Sequence, residues 1–175
     1  MTPVSETFIG ARGEPVVHVD MWMRTLQRTA KSLDLVAQVV DATAVCGTVH
    51  LESAYLHANR AVERGNNLAR TVLVEWVLCA AGVRQVDVAF RLAGIHPGTD
   101  TFAIMLIADD DLVPTEDQIG SLLNTIGLQR DDDVLECTEE ALRTLGVGDA
   151  ELAAVPRDSW PDLALERVAL LELER

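Results

Sequence analysis

Residues Cys46–Thr99 read CGTVHLESAYLHANRAVERGNNLARTVLVEWVLCAAGVRQVDVAFRLAGIHPGT, and within them three helical patterns follow one another almost without loop. Over Leu51–Arg64 the apolar residues Leu51, Ala54, Ala58, Ala61 and Val62 share one helix face, while His57, Arg60 and Arg64 recur at i, i+3 and i+7 on another. Gly65 permits the left-handed residue that ends a helix, and Asn67 is placed to cap the next. That next helix, Leu68–Ala81, is apolar nearly all round and is expected at the buried centre of the fold, with Glu75 its only acid. Gly82 closes it. Val83-Arg84-Gln85 opens a third helix with Val86, Ala89, Phe90 and Ala93 toward the core.

The same stretch is an island of positive charge. Five arginines (Arg60, Arg64, Arg70, Arg84, Arg91) face four acids between residues 50 and 99, in a chain whose net charge is −14. A length of 175 residues and 49% apolar content suit one soluble domain, able to bury roughly 70% of its unfolded surface. Lys31 is the one lysine beside thirteen arginines, and the acids include the triplets 109–111 and 131–133. Such a balance fits a salt-rich cytoplasm, where high net charge keeps a protein soluble and its self-repulsion is screened. The competing reading is an acidic protein with a basic partner. Cys46, Cys79 and Cys137 form no C-x-x-C unit, and the apolar surroundings of Cys46 and Cys79 predict buried free thiols. No basic stretch precedes an apolar one at the N-terminus and no apolar run reaches about 18 residues, so a cytoplasmic protein with no membrane partner is expected.

Outward from the centre, SETFIGARGEP reads as a strand running into a turn, and Met21–Leu33 as a helix with Met21, Leu26, Ala30 and Leu33 inward and Arg24, Arg28 and Lys31 outward. Leu35–Val40 and Thr43–Val49 read as a strand pair around Asp41. Thr101–Ile107 is continuously apolar, which predicts a central strand ended in solvent by Asp109–Asp111. Helices are predicted at Thr115–Thr125, Thr138–Leu145 and Pro161–Glu174. The expected fold class is α+β: a single domain over residues 1–175, with a mostly antiparallel sheet packed against a cluster of helices.

Few residues invite chemistry. A carboxylate in Glu75's position must be tied to Arg60, Arg84 or backbone amides, because an uncompensated buried charge costs several kcal/mol. A general-base role would need a cleft and a second group, and none is near. Glu75, Gly65 and Gly82 are therefore read as structural. His50 and His57 are seven apart but lack a third ligand, the Asp triplets lack the pattern of a calcium loop, and no nucleotide or nucleophile motif occurs, so no metal and no cofactor are expected. Arg84 and Gln85 lie where a helix start favours a phosphate or carboxylate; the alternative is a solvated face with an Arg84–Asp87 pair.

These residues resemble a known family: the small accessory subunit of the KEOPS complex, the PRPK-binding protein or CGI family, which serves threonylcarbamoyl modification of adenosine in tRNA. The resemblance is carried by His50, Leu56-His57-Ala58, Gly65-Asn66-Asn67-x-Ala69, Glu75, Gly82-Val83-Arg84-Gln85-Val86 with Ala89, Gly94-Ile95 and Gly98-Thr99, and covers about residues 41–108. It implies a non-catalytic subunit that docks on the complex's kinase-like ATPase, meets the rest of KEOPS indirectly and binds the tRNA 3′ CCA end. By that likeness Arg84, Gln85, Val86 and Asn67 would hold the tRNA tail, with Arg60, Arg64 and His57 extending the surface. Leu170, Leu171 and Leu173 of the last helix would meet the kinase. In high salt a few phosphate contacts are weak, so stacking and directional hydrogen bonds should carry the RNA, with Tyr55 as a stacking platform or, alternatively, a partly buried core residue. Outside the family, a small-molecule-binding regulatory α+β domain would need a pocket.

Overall fold

The computed structural model describes residues 6–108 and 112–174, so the expected strand end at Asp109–Asp111 lies outside the described residues. The fold class is α+β, with an antiparallel sheet. The chain forms two compact units, the first holding the described residues up to Asp41 and Ile95–Val134, the second Ala42–Gly94 and the described residues from Leu135 onward.

In the first unit, β1 (Glu6–Gly13), β2 (Leu35–Asp41), β3 (Thr101–Ala108) and β4 (Leu128–Arg130) form a sheet of order β2-β3-β1-β4. Ile104 of β3 stands opposite Ile9 of β1 and Val39 of β2. Phe102, Ala103, Ile104, Met105 and Leu106 are all buried, which is why β3 shows no polar alternation. One face of the sheet packs on α1 (Val19–Ser32) through Leu26 and Ala30, and on α5 (Glu116–Ile126) through Ile119, Leu122 and Leu123. Thr115 caps α5 in a reciprocal box with Gln118. Met21, expected inward, is exposed: α1 turns Trp22 toward the core instead, stacked on Phe102 at 4.9 Å between ring centroids.

The second unit is helical: α2 (Thr48–Arg64), α3 (Val72–Ala81), α4 (Val86–Ala93), α6 (Glu139–Thr144), α7 (Asp149–Ala154) and α8 (Trp160–Leu173). Thr43–Val49 is not a strand. Ala42–Ala44 forms a short 3-10 turn and α2 begins at Thr48, while β2 finds its partner in the distant β3. The β-branched residues there favour a strand locally, but the segment is taken up by the 3-10 turn and the first turn of α2.

α2 and α3 run antiparallel: the Trp76 indole donates to the Leu51 carbonyl at 3.1 Å, and His50, near the start of α2, meets Ala80, near the end of α3. α3 begins four residues later than its apolar pattern suggested. Thr71, not Asn67, caps it, and the Asn67 amide instead donates to the Ala69 carbonyl at 2.7 Å. Cys46 is not a free thiol; it is joined to Cys137, whereas Cys79 is free and buried. Nothing in the spacing of the cysteines announces this pairing, which arises because the segment before α2 lies along the segment before α6, the Gly47 amide donating to the Leu135 carbonyl at 2.7 Å.

Candidate binding surfaces

The antiparallel α2–α3 pair separates the expected RNA-binding residues into two groups. Arg84, Gln85 and Val86 follow α3, near the beginning of α2. Arg60, Arg64 and Asn67 lie at the opposite end, beyond roughly 15 Å of helix at the ordinary rise of 1.5 Å per residue. They do not form one patch.

At the first end Arg84, Gln85 and Val86 are all exposed. Gln85 is the N-cap of α4 without a side-chain capping bond, and Arg84 makes no ion pair among the described residues, so the alternative Arg84–Asp87 pair does not form. Exposed amides of a helix start beside an uncommitted guanidinium suit an anionic or hydrogen-bonding ligand. Val86, expected on the core face of α4, is also turned outward.

At the other end the cations are already engaged. Glu172 of α8 accepts from Arg60 at 3.0 Å and from Arg64 at 2.9 Å, and the His57 Nδ1 lies against the same carboxylate. Burial would raise the Glu172 carboxyl, but His57 and Arg60 together hold it below its ordinary range. The i, i+3, i+7 pattern of His57, Arg60 and Arg64 thus marks a seat for one acid of this chain. The sequence reading missed Glu172 because it is one of many acids in the tail. The signal was the stripe itself, which presents three basic groups to one side and calls for a counter-ion.

Two further expectations are corrected. Of the two readings of Tyr55 the core one holds: at 2% exposure it is packed inside and offers no face on which a base could stack. Leu171, also 2% exposed, is packed inside the second unit, whereas Leu173 is 81% exposed and Leu170 partly so. Helical geometry explains the split: neighbours on α8 point about 100° apart, so three leucines within four residues cannot share a surface.

What the apolar readings overlooked is a groove beside the Glu172 cluster. It measures about 250 Å³ and is lined by Val49, Ser53, Leu56 and His57 of α2 and Leu165 of α8. Val49 and Leu56, one heptad apart, are each 57% exposed. Val49 was hidden from the helical reading by its place in the supposed strand.

Two buried groups hold these surfaces in position. Glu75 is fully buried, and its Oε2 accepts from the amides of Leu68 at 2.9 Å and Ala69 at 2.6 Å. Those bonds draw residues 68–71 out of the helix and shape the turn that carries Asn67 and Arg70. His50 is also buried. Its Nδ1 accepts from the Cys46 amide at 3.2 Å, so Nε2 bears the proton and meets the Ala80 carbonyl at 3.0 Å. Burial lowers its pKa to about 4, partly opposed by the Ala80 bond. With both nitrogens committed, His50 is unavailable to a metal, and among the described residues no group of three or more His, Cys, Asp or Glu is arranged to hold one.

The α+β fold thus presents an exposed apolar groove flanked by an ion-pair cluster, with a bare helix start at the far end of the same hairpin. The sequence model of the kinase binding protein CGI-121 family matches residues 22–149, nearly three-quarters of the chain. The chain belongs to that family. The matched stretch contains α2, α3 and α4 whole and stops short of α8, so Val49, Leu56 and Arg84 lie within it and Leu170–Leu173 outside it. No curated protein matches the chain.

Proposed function

We propose that the whole chain acts as the non-catalytic accessory subunit of a KEOPS-type complex in the cytoplasm, docking on its kinase-like ATPase and binding the 3′ CCA end of tRNA for threonylcarbamoyl modification. The observation that carries this reading is the family match across α2–α4, the elements that form the hairpin and both of its exposed ends. The kinase would seat on the groove of Val49, Leu56 and Leu165, because exposed large apolar side chains around a concavity gain most from burial against a partner. Leu173 would extend that contact and Leu171 would not. The tRNA tail would meet Arg84, Gln85 and the start of α4, where backbone amides and one guanidinium offer directional hydrogen bonds.

This assignment keeps the RNA away from Arg60 and Arg64. Both are paired with Glu172, and freeing them would break an ion-pair cluster. It also suits a saline cell, the environment we infer from the acidic composition, because hydrogen-bond directionality survives salt that screens simple attraction.

Two charge changes separate the surfaces. Leu56→Asp should weaken binding to the kinase-like subunit by about tenfold or more and leave tRNA binding unchanged. Arg84→Glu should do the reverse, with a similar loss toward tRNA. Native mass spectrometry for the first partner and filter binding for the second would detect both effects. If each variant lost both partners equally, the two-surface assignment would fail.

A further inference from the structure

The first unit has an opening of its own, formed on α1 and the residues after α5 and not on the α2–α4 helices. Beside α1 an apolar cleft of about 390 Å³ is lined by Val16, Val17, Met21, Trp22, Ile126 and Leu128. Its size falls within the roughly 300–1,000 Å³ usual for small-molecule sites. Val17 and Met21 are 71% and 65% exposed, more than apolar side chains of that size need be on a 14-residue helix and its lead-in. A second opening of about 680 Å³ shares Val17, His18, Met21 and Thr25 with the first and is bordered by Arg24 and Arg28.

The two arginines stand apart from most others in the chain. Acids outnumber Lys and Arg 28 to 14, and Arg12, Arg60, Arg64, Arg130, Arg143 and Arg167 each have an acidic partner. Arg24 and Arg28 have none among the described residues, although they are one turn apart on one side of α1. The acids bordering the openings, Glu14 and Asp20, lie at or before the first turn of α1, where Asp20 complements the helix dipole. The polar rim is therefore graded, negative toward the helix start and positive one to two turns along it.

We propose that this cleft binds an amphiphilic anion: a small molecule with an apolar chain or ring and a carboxylate or phosphate head. The apolar part lies against Met21, Trp22, Ile126 and Leu128. The head is held between Arg24 and Arg28, away from Glu14 and Asp20. Paired guanidinium groups on successive turns match the oxygens of such a head, and burying the chain over Met21 and Val17 supplies the affinity that an exposed ion pair alone does not. The proposal is independent of KEOPS membership.

The test is isothermal titration of the full chain with decanoate and decyl phosphate below their micelle-forming concentrations. Decyltrimethylammonium, inorganic phosphate and phosphatidylglycerol vesicles complete the set. Saturable one-to-one binding of the two anions is expected, with none of the cation of equal tail length and none of phosphate alone. The double variant Arg24→Gln/Arg28→Gln and the single variant Met21→Asp should each weaken it about tenfold or more. All three changes are at exposed positions, and circular dichroism melting confirms that the variants are folded. The proposal is overturned by no binding of either anion, by equal binding of the cation, or by affinity unchanged in both variants. Binding confined to the vesicles also overturns it, since it would mark a lipid surface and not a ligand cleft.

Discussion

Glu75 and His50 illustrate how single buried polar residues set the geometry of the second unit. Glu75 was constrained from sequence to a tie with Arg60, Arg84 or backbone amides; its location gives it the amides of Leu68 and Ala69. Glu75→Ala strands two N–H donors in or near the core and should cost about 2–3 kcal/mol, while Glu75→Gln keeps one acceptor and should cost less. Thermal melting measures both, and a melting temperature unchanged in the alanine variant would contradict the positioning role. His50 makes stability depend on pH. Its folded pKa, about 4, is below the ordinary value of about 6.5, so the unfolded chain binds more protons between these values. The contribution is therefore complete above about pH 6.5 and is lost as pH falls, reaching about 3 kcal/mol by pH 4. Denaturant unfolding from pH 4 to 7 should show this slope, and His50→Gln should flatten it relative to the parent chain.

At the scale of elements, what the sequence disclosed was what is decided locally. Gly65 and Gly82 end α2 and α3 at φ 68° and 66°, Thr115 caps α5, and the apolar run at 101–107 is a strand with both faces buried. Elements decided by distant partners were not legible. Thr43–Val49 has strand-forming residues but becomes a 3-10 turn and the start of α2; three-residue β4 and six-residue α7 are too short to show a period; and the Cys46–Cys137 pair and the Glu172 seat join segments about a hundred residues apart. The two glycines also offer a graded test. A Cβ at Gly65 meets nothing within 4 Å, whereas at Gly82 it lies 3.2 Å from the Arg167 Cβ. Gly65→Ala should cost about 1 kcal/mol from the left-handed backbone alone and Gly82→Ala about 2 kcal/mol. Equal losses of stability in the two variants would mean that α8 yields freely at Arg167.

For the molecule as a whole, the arginine island that stands out in an acidic chain is not one electrostatic patch. The antiparallel hairpin divides it into cations committed to Glu172 and a helix start left open, and the open end, the apolar groove and the family match combine in the proposed accessory subunit. No helix among the described residues is long and apolar enough to cross a membrane. The most direct test of the central claim is the dissociation constant for tRNA with and without its 3′ CCA end, measured at about 1 M KCl, where the screening length falls to about 3 Å. Loss of the CCA end should weaken binding about tenfold or more. Equal affinity for the two tRNAs would contradict the account.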